Sequence, residues 1–124
     1  MNFGKELIMI VIKVWCLPSD QSEDDLNRLH QAIVKAAVSF PELCLQDEND
    51  MTCLFPADLM KYGLGEEIIV EIDGLPDMLW KNRTVREQLA RCVGESVSAL
   101  YPRAKVECSV REFNPSQGVW TQNK

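Results

Sequence analysis

The side chains best suited to chemistry in this 124-residue chain are two polar residues in a late alternating stretch. Ser109 and Arg111 are two positions apart, so they lie on the same face of a predicted strand. A guanidinium beside a hydroxyl can bind the carboxylate of a small ligand. Glu71, in an earlier β-branched stretch, is a candidate general base. For Arg111 and Glu71 the alternative interpretation is a solvated surface charge.

Metal and disulfide chemistry are not indicated. The chain has five cysteines, an odd number, without Cys-x-x-Cys spacing, and His30 is its one histidine. We therefore predict no metal and no cofactor. Most of the cysteines lie in apolar patterns and are interpreted as buried thiols of a reduced, cytoplasmic protein; they are Cys16, Cys44, Cys53, Cys92 and Cys108.

Charge and hydropathy argue against two classes of partner. A net charge of −6 argues against nucleic acid and anionic membrane surfaces. The apolar stretch 7–17 is interrupted by Lys13 and is too short to span a bilayer, so we interpret it as a buried strand. The basic residues around the second helix are interpreted as a solvated face; they are Lys81, Arg83, Arg86 and Arg91.

An internal repeat predicts how these residues are positioned. A β-branched run ends at Leu17-Pro18 and again at Leu75-Pro76, 58 positions later. A helical pattern then ends at Phe40-Pro41 and again at Tyr101-Pro102, 61 positions later. The repeat indicates one βαβ unit duplicated within a single domain.

The local patterns complete an order of βαββαβ. Strands are expected at 9–15, 51–55, 68–72 and about 105–113. Ser22 is the expected cap of the first helix, and Thr84 with Glu87 forms an expected capping box on the second. The predicted fold class is α+β, with a four-stranded mixed sheet and two helices on one face. The opposite face is predicted to be buried against copies of the same chain.

Two stretches resemble a known family. Residues 55–63 contain Pro-x-x-Leu-Met-x-aromatic-Gly, and residues 108–120 end in an Asn- and Gly-Trp-type tail. Both are similar to the macrophage migration inhibitory factor group of the tautomerase superfamily, as is the duplicated βαβ unit. The resemblance implies a single tautomerase-like domain over 9–124, an extension at 1–8, and a homo-oligomer that is a trimer.

The resemblance also implies a particular catalytic base, and this chain differs from the family at the position of that base. In the family an N-terminal proline amine accepts the proton. Met9 occupies that position here, and its nitrogen lies in a peptide bond because eight residues precede it. Ser109 matches the position of a pocket asparagine. Lys13 shares the strand face of Met9, but four residues along a strand is about 13 Å.

Three functions follow from these observations. The first is a non-catalytic binding or interaction module with the tautomerase-like fold, whose pocket candidates are Met9, Lys13, Ser109 and Arg111. The second is a tautomerase or isomerase of a small keto–enol acid that uses a free amine at Met9 or another pocket residue. The third is a ferredoxin-like regulatory domain with the same order of elements.

Overall fold

The computed structural model describes residues 10–43, 45–46, 48–56, 67–75, 79 and 81–111. Over these residues the elements are β1 (Ile10–Trp15), α1 (Glu23–Val38), β2 (Met51–Leu54), β3 (Glu67–Asp73), α2 (Arg83–Leu100) and β4 (Lys105–Val110), with short 3-10 helices at Pro41–Leu43 and Glu48–Asp50. The predicted order βαββαβ is confirmed. Met9, Cys44, the motif residues 57–63 and the tail 112–124 lie outside the described residues.

Helix α1 begins as its sequence predicts. The Ser22 hydroxyl accepts a hydrogen bond from the Asp25 amide at 3.0 Å, and the Asp25 carboxylate accepts one from the Ser22 amide at 3.0 Å. This reciprocal pair satisfies two amides that a helix start leaves without intrahelical partners. The hydrogen bonds from Ser22 lower the pKa of the Asp25 carboxyl. One face of the helix is buried, through Leu29, Ile33, Ala36 and Ala37.

The start of helix α2 differs from the prediction. Asn82, not Thr84, is the N-cap, and its side-chain oxygen accepts a hydrogen bond from the Val85 amide at 3.1 Å. Because the helix begins at Arg83, Thr84 lies within the first turn and cannot cap it. Glu87 instead forms an ion pair with Arg83, with 2.8 Å between its Oε1 and the arginine Nε. The predicted capping box of Thr84 and Glu87 was wrong.

The order of the strands in the sheet distinguishes between two of the predicted topologies. The strands lie in the order β2-β1-β3-β4, with β1 parallel to β2, β1 antiparallel to β3, and β3 parallel to β4. Each βαβ unit therefore keeps its two strands adjacent. A ferredoxin-like domain splits that unit by inserting another strand between them. The ferredoxin-like alternative is wrong, and the duplicated βαβ fold is confirmed.

The repeat extends to details of the backbone. Leu17 and Leu75 are both buried, and each follows a residue with a positive φ. Those residues are Cys16 at 70° and Gly74 at 91°, which are 58 positions apart. The left-handed conformation is easy for glycine and costs a residue with a Cβ about 1–2 kcal/mol. The turn geometry is therefore retained at Cys16 without the glycine that favours it.

A pseudo-twofold axis relates the two halves of the sheet. Lys13 of β1 pairs with Glu71 of β3, and these residues are also 58 positions apart. The axis therefore passes between Lys13 and Glu71. The same relation makes Cys53 and Cys108 equivalent, since they pair with Ile12 and Val70, which are again separated by 58. Opposite charges thus meet where the symmetry axis crosses the sheet.

Alternation along the strands divides the sheet into two faces. The apolar core lies between the sheet and the helices, and from β1 and β3 it receives Ile10, Ile12, Val14, Ile68, Val70 and Ile72. The opposite face, which we call the helix-free face, carries the alternate residues of all four strands. Two of its apolar side chains, Trp15 and Leu54, are exposed by 39% and 46%. The helix-free face is therefore partly exposed to solvent and carries both apolar and charged side chains.

Candidate functional site

Five polar or amphipathic side chains meet on the helix-free face, and we call them the strand-face cluster. They are Lys13 and Trp15 of β1, Glu71 and Asp73 of β3, and Arg111 directly after β4. The pairing register brings them together, because Lys13 lies opposite Glu71 and Val11 lies opposite Asp73. The Arg111 amide donates a hydrogen bond to the Ile72 carbonyl at 2.8 Å, which fixes the start of its side chain beside β3.

Glu71 is the centre of this cluster. Its Oε1 accepts a hydrogen bond from the Trp15 indole Nε1 at 2.8 Å, and its Oε2 accepts one from the Arg111 guanidinium at 2.8 Å. Only 19% of its side chain is exposed. The Trp15 hydrogen bond, followed by that of Arg111, holds the pKa of the Glu71 carboxyl below its ordinary value of 4.5 against an opposing effect of burial. Glu71 is therefore an ionised acceptor with both oxygens engaged.

Asp73 is the second anion of the cluster. Its Oδ2 lies 3.7 Å from the Lys13 ammonium, and its Oδ1 lies 3.8 Å from the Arg111 Nε. The two carboxylates and the two cations therefore balance each other in charge. Pairs as exposed as these contribute about 0–1 kcal/mol each, so the cluster sets side-chain positions more than it sets stability.

This arrangement is poorly suited to proton transfer. A general base needs a pKa near the working pH, whereas the pKa of Glu71 is lowered and each of its oxygens already accepts a hydrogen bond. The carboxylate-binding role considered for Arg111 is weakened for a similar reason, because its guanidinium already contacts Glu71 and Asp73. The cluster is therefore a preformed, charge-balanced surface in which Glu71 and Arg111 already contact each other.

The sequence-predicted site residues have three different outcomes. Lys13 and Arg111 are brought together through Asp73, as members of one cluster. Ser109 is exposed and lies opposite Glu71 in the β3–β4 register. Met9 lies outside the described residues, so its part in a site stays a prediction.

Sequence reasoning did not assign Trp15 and Asp73 to the site. The available signal was their spacing, since each lies two positions after a residue that was considered, Lys13 and Glu71 respectively. In a strand that spacing places them on the same face. Which residues of another strand they meet depends on the register, which the sequence patterns do not specify.

The cysteines of the described chain are free thiols. Burial raises the pKa of Cys53 to about 11 and that of Cys108 to about 12, so both are protonated near neutral pH. Among the residues that the structure describes, no group of three histidine, cysteine or acidic side chains could hold a metal ion. In the same part of the chain no helix is long and apolar enough to cross a membrane.

Acidification provides a direct test of the Glu71 contacts. A carboxyl whose pKa is lowered by folding stabilises the folded state above its unfolded pKa, which is 4.5 for Glu71, and this contribution is lost as the pH falls through the folded pKa. At pH 7 we expect the free energy of unfolding to be larger for the wild type than for Glu71→Gln. This difference should shrink as the pH falls below about 4. Urea unfolding of both proteins between about pH 7 and pH 3 measures it.

The comparison with Glu71→Gln is needed because Asp25 and Glu87 also have lowered pKa values and titrate in the same range. A difference that stays constant down to the lowest pH would show that Glu71 is not held by these hydrogen bonds.

Solved structures with this arrangement of strands and helices come from several proteins. A fused 4-OT described as a wild-type asymmetric trimer is similar with a TM-score of 0.66 and 12% identity over 83% of this chain and 85% of that chain. Native RhCC from Rhodococcus jostii RHA1 gives a TM-score of 0.64 and 16% identity over 83% and 76%. FG41 malonate semialdehyde decarboxylase, inhibited by 3-bromopropiolate, gives 0.55 and 14% over 94% and 91%.

These proteins are members of the tautomerase superfamily, so the chain has the tautomerase fold, and the resemblance found in the sequence is confirmed at the level of the fold. No protein-family model matches the chain, and no curated protein matches it in sequence.

Proposed function

We propose that this chain is a non-catalytic, homo-oligomeric protein with the tautomerase fold that acts as a binding or interaction module. The observation that carries the proposal is the state of Glu71, whose two oxygens each accept a hydrogen bond from a neighbour and whose pKa is lowered. The acidic residue best placed to serve as a base in the strand-face cluster is thereby committed to holding two neighbours.

The position that the resemblance assigns to the catalytic amine gives further support. Residue 9 is methionine, and in the chain as printed its nitrogen is an amide. An amide does not accept a proton near neutral pH, whereas an α-amine with a pKa of about 7.7–8.0 can. The proposed loss of activity therefore depends on residue 9 remaining internal.

The proposed assembly is a trimer formed through the helix-free face. The two helices cover one face of the sheet, and the exposed Trp15 and Leu54 lie on the other. Three similar solved structures are described as trimers of fused 4-OT. We place this assembly in a reducing, cytoplasmic environment, supported by the four free thiols of the described chain.

The experiment compares two proteins, the chain of residues 1–124 and a Met9→Pro variant that begins at residue 9. We expect light scattering to give three copies for the full chain. With a phenylpyruvate-type enol as the substrate, we expect the enol to convert to the ketone no faster in the presence of the full chain than in buffer alone. The variant restores a proline amine at the family position, and it reports whether the fold can still support the reaction.

Turnover by the full chain would overturn the non-catalytic proposal. Turnover by cellular material that mass spectrometry shows to begin at Met9 would establish the tautomerase alternative instead. A monomeric mass for the full chain would overturn the proposed assembly.

A further inference from the structure

We propose that Trp15 is the anchor of the contact between copies of this chain, and that Glu71 is the positioning residue that holds its indole ready for that contact. This inference rests on the homo-oligomer of the proposed function, and it names the side chains through which that assembly forms.

The first support is the apolar surface around Trp15. Trp15 lies opposite Ile69 in the β1–β3 register, and Leu54 lies opposite Lys13, two residues before Trp15. Trp15 and Ile69 are therefore direct cross-strand neighbours on the helix-free face, and Leu54 lies diagonally from Trp15 on the adjacent strand β2. Charged residues flank Trp15 and Ile69 on both sides, with Lys13 and Glu71 two positions away along β1 and β3 and Glu107 opposite Ile69 on β4. An apolar centre with a polar rim is the usual composition of a protein–protein contact.

The second support is the state of the Trp15 side chain before any contact forms. Its indole N–H already donates to Glu71 at 2.8 Å, and Arg111 holds that carboxylate from its other oxygen. Burial of the ring by a partner would then leave no unsatisfied donor. An indole that is already fixed also loses little conformational freedom on binding. Tryptophan is enriched among the residues that dominate binding energies.

The charge of the face indicates which partner it fits. Among the described residues of this face the anions are Glu67, Glu71, Asp73 and Glu107, and the cations are Lys13, Lys105 and Arg111. The face therefore carries about −1, whereas the whole chain carries −6. Alternating charges that nearly cancel allow two like surfaces to approach without strong repulsion, and they offer little to a strongly basic or acidic partner. A second copy of this chain is the occupant that fits.

The test uses the three exposed large apolar side chains of the described chain. Trp15→Ala and Leu54→Ala change the helix-free face, whereas Leu100→Ala changes a residue at the end of α2 that is 38% exposed, almost the same fraction as Trp15. We expect sedimentation to show that Trp15→Ala raises the dissociation constant of the assembly about thirtyfold. Leu54→Ala should have a smaller effect in the same direction, and Leu100→Ala should have none.

Glu71 is tested through the indole itself. In the NMR spectrum the Trp15 indole N–H signal, assigned from Trp15→Phe, should move toward the position of a solvent-exposed indole in Glu71→Ala. Glu71→Gln keeps an oxygen that can accept the indole hydrogen bond, so it should retain the signal position and more of the assembly than Glu71→Ala. A residue that only stabilises the fold would not move the indole signal separately from the rest of the spectrum.

The possible outcomes distinguish a failure of the Trp15 anchor from a failure of the proposed homo-oligomer. A monomeric wild type overturns the assembly and the anchor together. An assembled wild type whose dissociation constant is unchanged by Trp15→Ala overturns the anchor alone.

Discussion

Replacing Leu29 by alanine is expected to lower the free energy of unfolding by about 2–5 kcal/mol. Leu29 lies on the inner face of α1 and is fully buried in the core against the sheet. Alanine would remove three carbons from this position and leave a cavity that close-packed neighbours fill only in part. Urea unfolding followed by far-UV circular dichroism measures the change.

The repeat supplies a matched second site for this prediction. Leu89 lies on α2, 60 positions after Leu29, and is equally buried. We expect Leu89→Ala to cost a similar amount, because the pseudo-twofold axis places the two leucines in equivalent surroundings. A severalfold difference between the two losses would show that the symmetry of the backbone does not extend to the packing of the core.

The fold was predictable from the sequence because the two halves support each other. Either half alone gives a short β-branched run and an amphipathic helix, which many folds contain. The recurrence of Leu-Pro and aromatic-Pro landmarks at nearly constant spacing indicates two equivalent βαβ units, and that symmetry allows few sheet orders. The equivalence also holds for the helix caps, since the N-caps Ser22 and Asn82 are 60 positions apart. The sequence pattern alone had instead predicted Thr84 as the cap of α2.

The site was less predictable because its contacts are set by the register between strands. Trp15 and Glu71 are 56 positions apart, and Arg111 and Glu71 are 40 apart. Alternation assigned each of them to a face, but a two-residue shift in register would preserve that assignment and replace every contact. From the sequence Glu71 was therefore either a candidate base or a solvated surface charge, whereas the structure gives both of its oxygens a hydrogen-bond donor.

One packing difference between the two halves has no counterpart in the sequence pattern. Helix α2 packs directly on β4, whereas α1 makes few close backbone contacts with β2. Within this contact, a Cβ added to Gly94 would lie 3.1 Å from the Cβ of Cys108. The residue 60 positions earlier is Val34, whose side chain is partly buried against the core. The absence of a side chain at Gly94 explains why α2 can approach its strand.

Gly94→Val is accordingly expected to destabilise the folded protein by about 1–3 kcal/mol, because a branched side chain in this contact must displace either α2 or β4. Gly94→Ala is the matched control. Alanine gains about 1 kcal/mol of helix propensity over glycine and loses a similar amount in the tight contact, so the free energy of unfolding should change little. Val34→Ala tests the corresponding position of α1, where a smaller side chain removes some packing but displaces no helix or strand, so it should cost less than Gly94→Val. If urea unfolding shows Gly94→Val to be as stable as wild type, the approach of α2 to β4 does not depend on this glycine, and the asymmetry of the two halves has another origin.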